Sequence, residues 1–103
     1  MMRDVSMKML ALEKEVPGTA SARAGSFLKH EAGKTWELYQ ADFIRELYFD
    51  RDHETAVLIL ESPDVETARQ KLGTLPLVKA GLITFDVIPL IPYPGFARLF
   101  RAE

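Results

Sequence analysis

Glu31, Arg45 and Asp86 are the charged side chains best placed to do chemistry in this chain. Glu31 lies in a segment of helical periodicity, LKHEAGKTWELY. With Leu28 set at zero and each residue advancing about 100°, Thr35 falls at about −20°, Tyr39 at about +20°, Ala32 at about +40° and Ala24 at about −40°, which defines a buried stripe. Glu31 sits at about −60° and Trp36 at about +80°, on the shoulders of that stripe. Partial burial disfavours the ionised carboxylate and raises its pKa toward the range of a general base. The alternative is a carboxylate that reaches the edge of the core and pairs with an arginine. Arg45 falls in FIRELYFDR, on the same predicted strand face as Leu47 and Phe49. There it can hold a substrate carboxylate, or act as an edge charge that discourages aggregation. Asp86 stands between Phe85 and Val87 in the apolar run GLITFDVIPLIP. A charge in such a run needs a partner; it is a second acid–base group, or is neutralised by Lys8 or Arg45. Trp36, Tyr39 and Tyr48 can line an aromatic substrate pocket, although Trp36 and Tyr39 at helical spacing also suit a core.

Other chemistries find little support. The two histidines, His30 and His53, fall on the solvent side of a helix and in a turn, with no ligand cluster around them. The chain has no cysteine, which removes disulfides, thiolate nucleophiles and cysteine-based metal sites. No nucleophile elbow, P-loop or dinucleotide glycine pattern occurs. The net charge of −2 comes without a basic block, so nucleic-acid binding is not expected. No apolar run is long enough for a membrane span, and Met1 to Ser6 does not read as a secretory signal. A cytoplasmic protein is the expectation, with Met7 as a possible natural start.

The elements that must position these residues are read from period and punctuation. Lys8–Glu13 is a near-continuously apolar first strand, expected to be central in its sheet and closed by Val16-Pro17-Gly18. A helix follows, capped by Thr19 or Ser21 and running to about Ala41. Phe43–Arg51 and Glu54–Glu61 form a hairpin across the polar turn Asp50-Arg51-Asp52-His53. Ser62 or Asp64 caps a second helix over Val65–Leu72, with Gly73 at its C-terminal end. Leu75–Ala80 is a short helical turn, and Leu82–Ile91 is the fourth strand. The order βαββαβ in 103 residues makes one α+β domain, 1–103: a four-stranded antiparallel sheet with two helices on one face, the ferredoxin-like plan.

Two helices cover one sheet face only. Met9 and Leu10, Val57 and Leu58, and Phe85 and Ile88 place apolar groups on both faces. A second copy packed sheet to sheet covers the other, so the expectation is a homodimer or higher homo-oligomer. The tail from Tyr93 to Glu103 is aromatic and interrupted by proline, so it is expected to pack on a partner or over the site.

From Leu28 to Pro92 the chain resembles the muconolactone isomerase family of the dimeric α/β-barrel superfamily. The resemblance rests on Glu31 upstream of the hairpin, Ser62-Pro63-Asp64-Val65-Glu66, Leu72-Gly73-Thr74-Leu75-Pro76-Leu77, and the closing strand ending in Leu90 and Pro92. It implies a cofactor-free enzyme, without a metal, that moves a proton along a small unsaturated lactone or a related aromatic-degradation intermediate. Glu31 would be the base, and Arg45 or Lys8 would hold the developing anion. Four other readings stay open: a YciI-like protein, which would use an inward His–Asp arrangement, a cofactor-independent monooxygenase, a non-catalytic dimer that binds a small molecule, or a purely structural dimer.

Overall fold

A computed structural model of the chain describes residues 6–18 and 25–101. In chain order it contains β1 (Met7–Glu15), α1 (Leu28–Gln40), β2 (Ile44–Phe49), β3 (Ala56–Ser62), α2 (Val65–Leu72), α3 (Pro76–Lys79), β4 (Ile83–Pro89) and a 3-10 helix, Gly95–Phe100. The strands form one antiparallel sheet in the order β2-β3-β1-β4. This is the ferredoxin-like arrangement expected from the sequence, with the apolar first strand in the middle.

Cross-strand partners point to the same side of a sheet, so the register assigns the two faces. Met9 and Ala11 stand opposite Leu60 and Leu58 on one side, and Ala11 and Glu13 stand opposite Val87 and Phe85 on the other. This face carries the core. Met9, Ala11, Leu58, Leu60, Ile83 and Phe85 are buried against Leu38, Ala68, Leu72, Leu75 and Leu77 from the helical segments. The opposite face carries Leu10, Leu12, Val57, Ile59 and Ile88, with no helix over it among the described residues.

Local chemistry fixes the ends of the α2–α3 segment. The Asp64 carboxylate caps α2 by accepting from Thr67 N at 2.6 Å. That hydrogen bond holds the Asp64 carboxyl below its ordinary pKa. Pro76 occupies the first turn of α3, where a missing N–H costs nothing. Gly81, with φ +77°, then reverses the chain. Gly81 N donates to Val78 O at 2.9 Å and Leu82 N to Leu77 O at 3.0 Å, a Schellman motif that delivers the chain directly into β4. Gly73, by contrast, keeps an ordinary helical φ.

Three expectations are corrected here. First, α1 begins at Leu28 after a 3-10 turn at 25–27; Thr19, Ser21 and Ala24 lie outside the described residues. Second, the stripe centred on Leu28 is not core. Leu38 is the buried residue of α1, while Leu28, Ala32 and Tyr39 are exposed. The helix is pinned near its C-terminus, where Phe43 N donates to Leu38 O, so its apolar stripe overhangs the sheet without closing on it. Third, Arg45 does not share a face with Leu47 and Phe49. A register shift between Ile44 and Glu46 inserts one extra residue, so Ile44 and Leu47 both face the helices while Arg45 points away.

Candidate functional site

The overhang of α1 leaves a cleft of about 890 Å³ between that helix and the helix-facing side of the sheet. Leu28, Glu31, Ala32, Thr35, Trp36 and Tyr39 form its α1 wall. Leu47, Phe49, Ala56, Leu58, Ile83 and Phe85 supply its floor, and the β2–β3 turn residues His53, Glu54 and Thr55 its rim. Leu47 and Phe49 are exposed although they stand opposite buried or half-buried β3 residues, Leu58 and Ala56. Among the described residues no helix packs directly onto them.

Glu31 is half-buried in this cleft. Its Oε1 accepts from the backbone N of Leu77 at 2.9 Å, which ties α1 to α3. The hydrogen bonds among the described residues leave Oε2 unused. One turn later, the Thr35 hydroxyl donates to the Glu31 carbonyl at 2.8 Å and steadies the helix there. Burial pushes the Glu31 carboxyl above its ordinary value of 4.5; the Leu77 N–H opposes that rise, and the charge of Glu13 adds to it. Glu13 reaches the cleft from β1, and its Oε1 accepts from Ala56 N at 2.7 Å. Two carboxylates from different elements are therefore each held by one backbone N–H.

The rim has its own polar group. Asp50 Oδ1 accepts from Asp52 N at 2.8 Å and His53 N at 3.2 Å, while its Oδ2 lies 3.2 Å from His53 Nδ1. These bonds lower the Asp50 pKa, the Asp52 N–H contributing most. Glu54 adopts φ 56°, a left-handed conformation that closes the turn with Glu54 N on Asp50 O at 2.7 Å.

Of the residues expected at the site, Glu31, Trp36 and Tyr39 line one cleft, and Tyr48 only borders it. Trp36 and Tyr39 stack at 5.9 Å between ring centroids with planes 30° apart. Tyr48 stands opposite Val57, so its ring lies toward the other sheet face; its hydroxyl donates to Glu46 Oε1 at 2.7 Å. That bond and the Glu46 charge raise the Tyr48 pKa. Arg45 and Asp86 are not brought to Glu31. Both lie on the sheet face without helices, Arg45 at 3.6 Å from Glu61 and Asp86 at 2.8 Å from Lys14. The partner of Asp86 is therefore Lys14, not Lys8 or Arg45. Lys8 pairs opposite Glu61 on that same face.

Sequence reasoning passed over Glu13, His53 and Phe49. A signal for Glu13 existed in its parity with Met9 and Ala11, which assigns a carboxylate to the covered face. His53 gave no signal, because a turn histidine reads as solvent-exposed until a cleft is known to end beside it. Among the described residues no group of three or more His, Cys, Asp or Glu is arranged to hold a metal ion. No helix among them is long and apolar enough to cross a membrane. In comparisons with known proteins, no family model matches the chain and no curated protein matches it.

Proposed function

We propose that the cleft is the active site of a cofactor-free proton-transfer isomerase, in the manner of the muconolactone isomerase family that the sequence resembles. One observation carries this reading: a half-buried carboxyl of raised pKa, anchored through one oxygen, lines a cleft whose walls are mostly apolar. In such a reaction the Glu31 carboxylate takes a proton from the sp³ end of the lactone's allylic system, the ring carbon γ to the carbonyl in muconolactone and the one α to it in α-angelica lactone. The C–H electron pair moves into the conjugated system as a dienolate. The new Glu31 O–H then returns the proton to the far end of that system, and the carboxylate is regenerated. Raising the base's pKa brings it closer to that of the carbon acid, which favours the transfer.

The anion holder first expected, Arg45 or Lys8, lies on the other sheet face, so hydrogen-bond donors lining the cleft must take that role. The Tyr39 hydroxyl, the Thr55 hydroxyl and His53 are the candidates. The assay is turnover of muconolactone and of the uncharged α-angelica lactone, followed by NMR. Isomerisation by the wild-type protein that falls at least about 100-fold in Glu31→Gln supports the reading. Equal turnover by both proteins sinks it.

A YciI-like reading gains support from a separate observation, the His53–Asp50 pair at the rim. Unchanged activity in His53→Ala argues against it.

The assembly proposed is a homodimer joined through the uncovered sheet face. Leu10, Leu12, Val57, Ile59 and Ile88 form its apolar centre, and the Lys14–Asp86 pair lies beside it. The tail supports the same reading, since Ile91, Tyr93, Phe96, Leu99 and Phe100 are all exposed and none lines the cleft of its own chain. Sedimentation equilibrium decides it: the expectation is a dimer that Ile88→Lys converts to monomer, and a monomeric wild-type protein is the contrary result.

A further inference from the structure

The cleft is unbalanced in charge. Glu13, Glu15, Glu31 and Glu54 line it, and no lysine or arginine joins them among the described residues. Four cations of the surrounding elements are engaged elsewhere. Lys14 and Arg45 pair with Asp86 and Glu61 on the opposite sheet face. Lys34 pairs with Glu37 on α1, and Lys71 lies over the Phe43 ring. His53 is the lining group that can become positive, and it sits at the rim against Asp50.

The rest of the lining is mostly aliphatic, with three aromatic rings left uncovered. Trp36 is 58% exposed, Tyr39 43% and Phe49 71%, which leaves ring faces free for a ligand. Aromatic faces attract cations and stack on flat unsaturated rings. Among the described residues a carboxylate in the same place meets like charge and finds no guanidinium or ammonium in the lining, and partial desolvation strengthens that repulsion.

We infer that the cleft takes an uncharged or cationic ligand bearing a flat ring, and discriminates against carboxylates. This rests on the proposal that the cleft is the ligand site, and it narrows that proposal. The substrate class becomes a neutral unsaturated lactone or a ring-bearing amine, and the carboxylate-bearing muconolactone becomes the disfavoured member.

The experiment compares three probes of one skeleton, phenethylamine, phenylacetamide and phenylacetate. Each is titrated into the full chain at fixed ionic strength, and the backbone amide signals of Ala32, Thr35 and Ala56 are followed by NMR. The expected order of affinity is amine, then amide, then carboxylate, with at least a tenfold gap between the first and last. In Glu13→Gln that gap narrows by at least threefold. Phenylacetate binding as tightly as phenethylamine overturns the inference, and so does a failure of all three probes to move these amides. The two ideas fail separately. Tight phenylacetate binding with Glu31-dependent turnover removes the charge selection and leaves proton transfer standing. Amine preference with Glu31-independent turnover does the reverse.

Discussion

Replacing Glu31 in two ways separates its structural bond from its charge. The Leu77 N–H is buried with its residue and donates to Glu31 Oε1. In Glu31→Ala that donor loses its acceptor, and an orphaned buried N–H costs about 1–3 kcal/mol. The cleft admits water, so the lower end applies, about 1 kcal/mol. For a domain of this size that lowers Tm by roughly 4–8 °C. In Glu31→Gln the amide oxygen still accepts from Leu77, while the desolvated charge is gone. This variant is therefore expected to be at least as stable as wild type near neutral pH, a common pattern for functional carboxylates.

The pH dependence follows from the sign of the shift. A carboxyl whose pKa is raised by folding binds more protons in the native state than in the unfolded one. Wild-type stability relative to Glu31→Gln then falls as pH rises from the ordinary value of 4.5 through the raised one. Urea unfolding of the three proteins at about pH 4 and about pH 8, on either side of the carboxyl range, measures this. Glu31→Gln as damaged as Glu31→Ala at the higher pH refutes the reasoning. So does a gap between wild type and Glu31→Gln that stays constant with pH.

Glu13→Gln keeps an acceptor for Ala56 N and removes the like charge beside Glu31, so the Glu31 carboxyl should titrate at lower pH by ¹³C NMR. Leu60→Ala opens the centre of the sheet. Leu60 is fully buried between Met9 on β1 and Ile44 on β2, and the cost should be about 3 kcal/mol in urea unfolding. Asp64→Ala removes the cap of α2 and should lower Tm above the carboxyl range. Because the Asp64 pKa is depressed in the fold, that difference should vanish as pH falls through it.

The topology was legible because each strand announces itself by apolar content and each connection by proline, glycine or a capping residue. α2 falls where Asp64 and the Val65–Leu72 period put it, and α3 where Leu75-Pro76-Leu77 puts it. Glu31 was legible from its place on the shoulder of a helical stripe. The meaning of that stripe was not. An apolar face at helical spacing looks the same whether it is packed or overhangs a cleft, and only the docking of α1 by Leu38 distinguishes the two. Arg45 was misplaced because period-two reasoning assumes an unbroken strand, and the bulge in β2 shifts every residue on one side of it. Glu13 was hidden by reading β1 as ending there, whereas the strand continues to Glu15.

The central claim is that Glu31 moves a proton at carbon in this cleft. Solvent-deuterium incorporation into α-angelica lactone reads that step even when no net isomer accumulates. The expectation is incorporation at the ring carbons with wild-type protein and at least about a 100-fold loss in Glu31→Gln. Incorporation at the same rate by both proteins, or none above the buffer rate at high protein concentration, would contradict it.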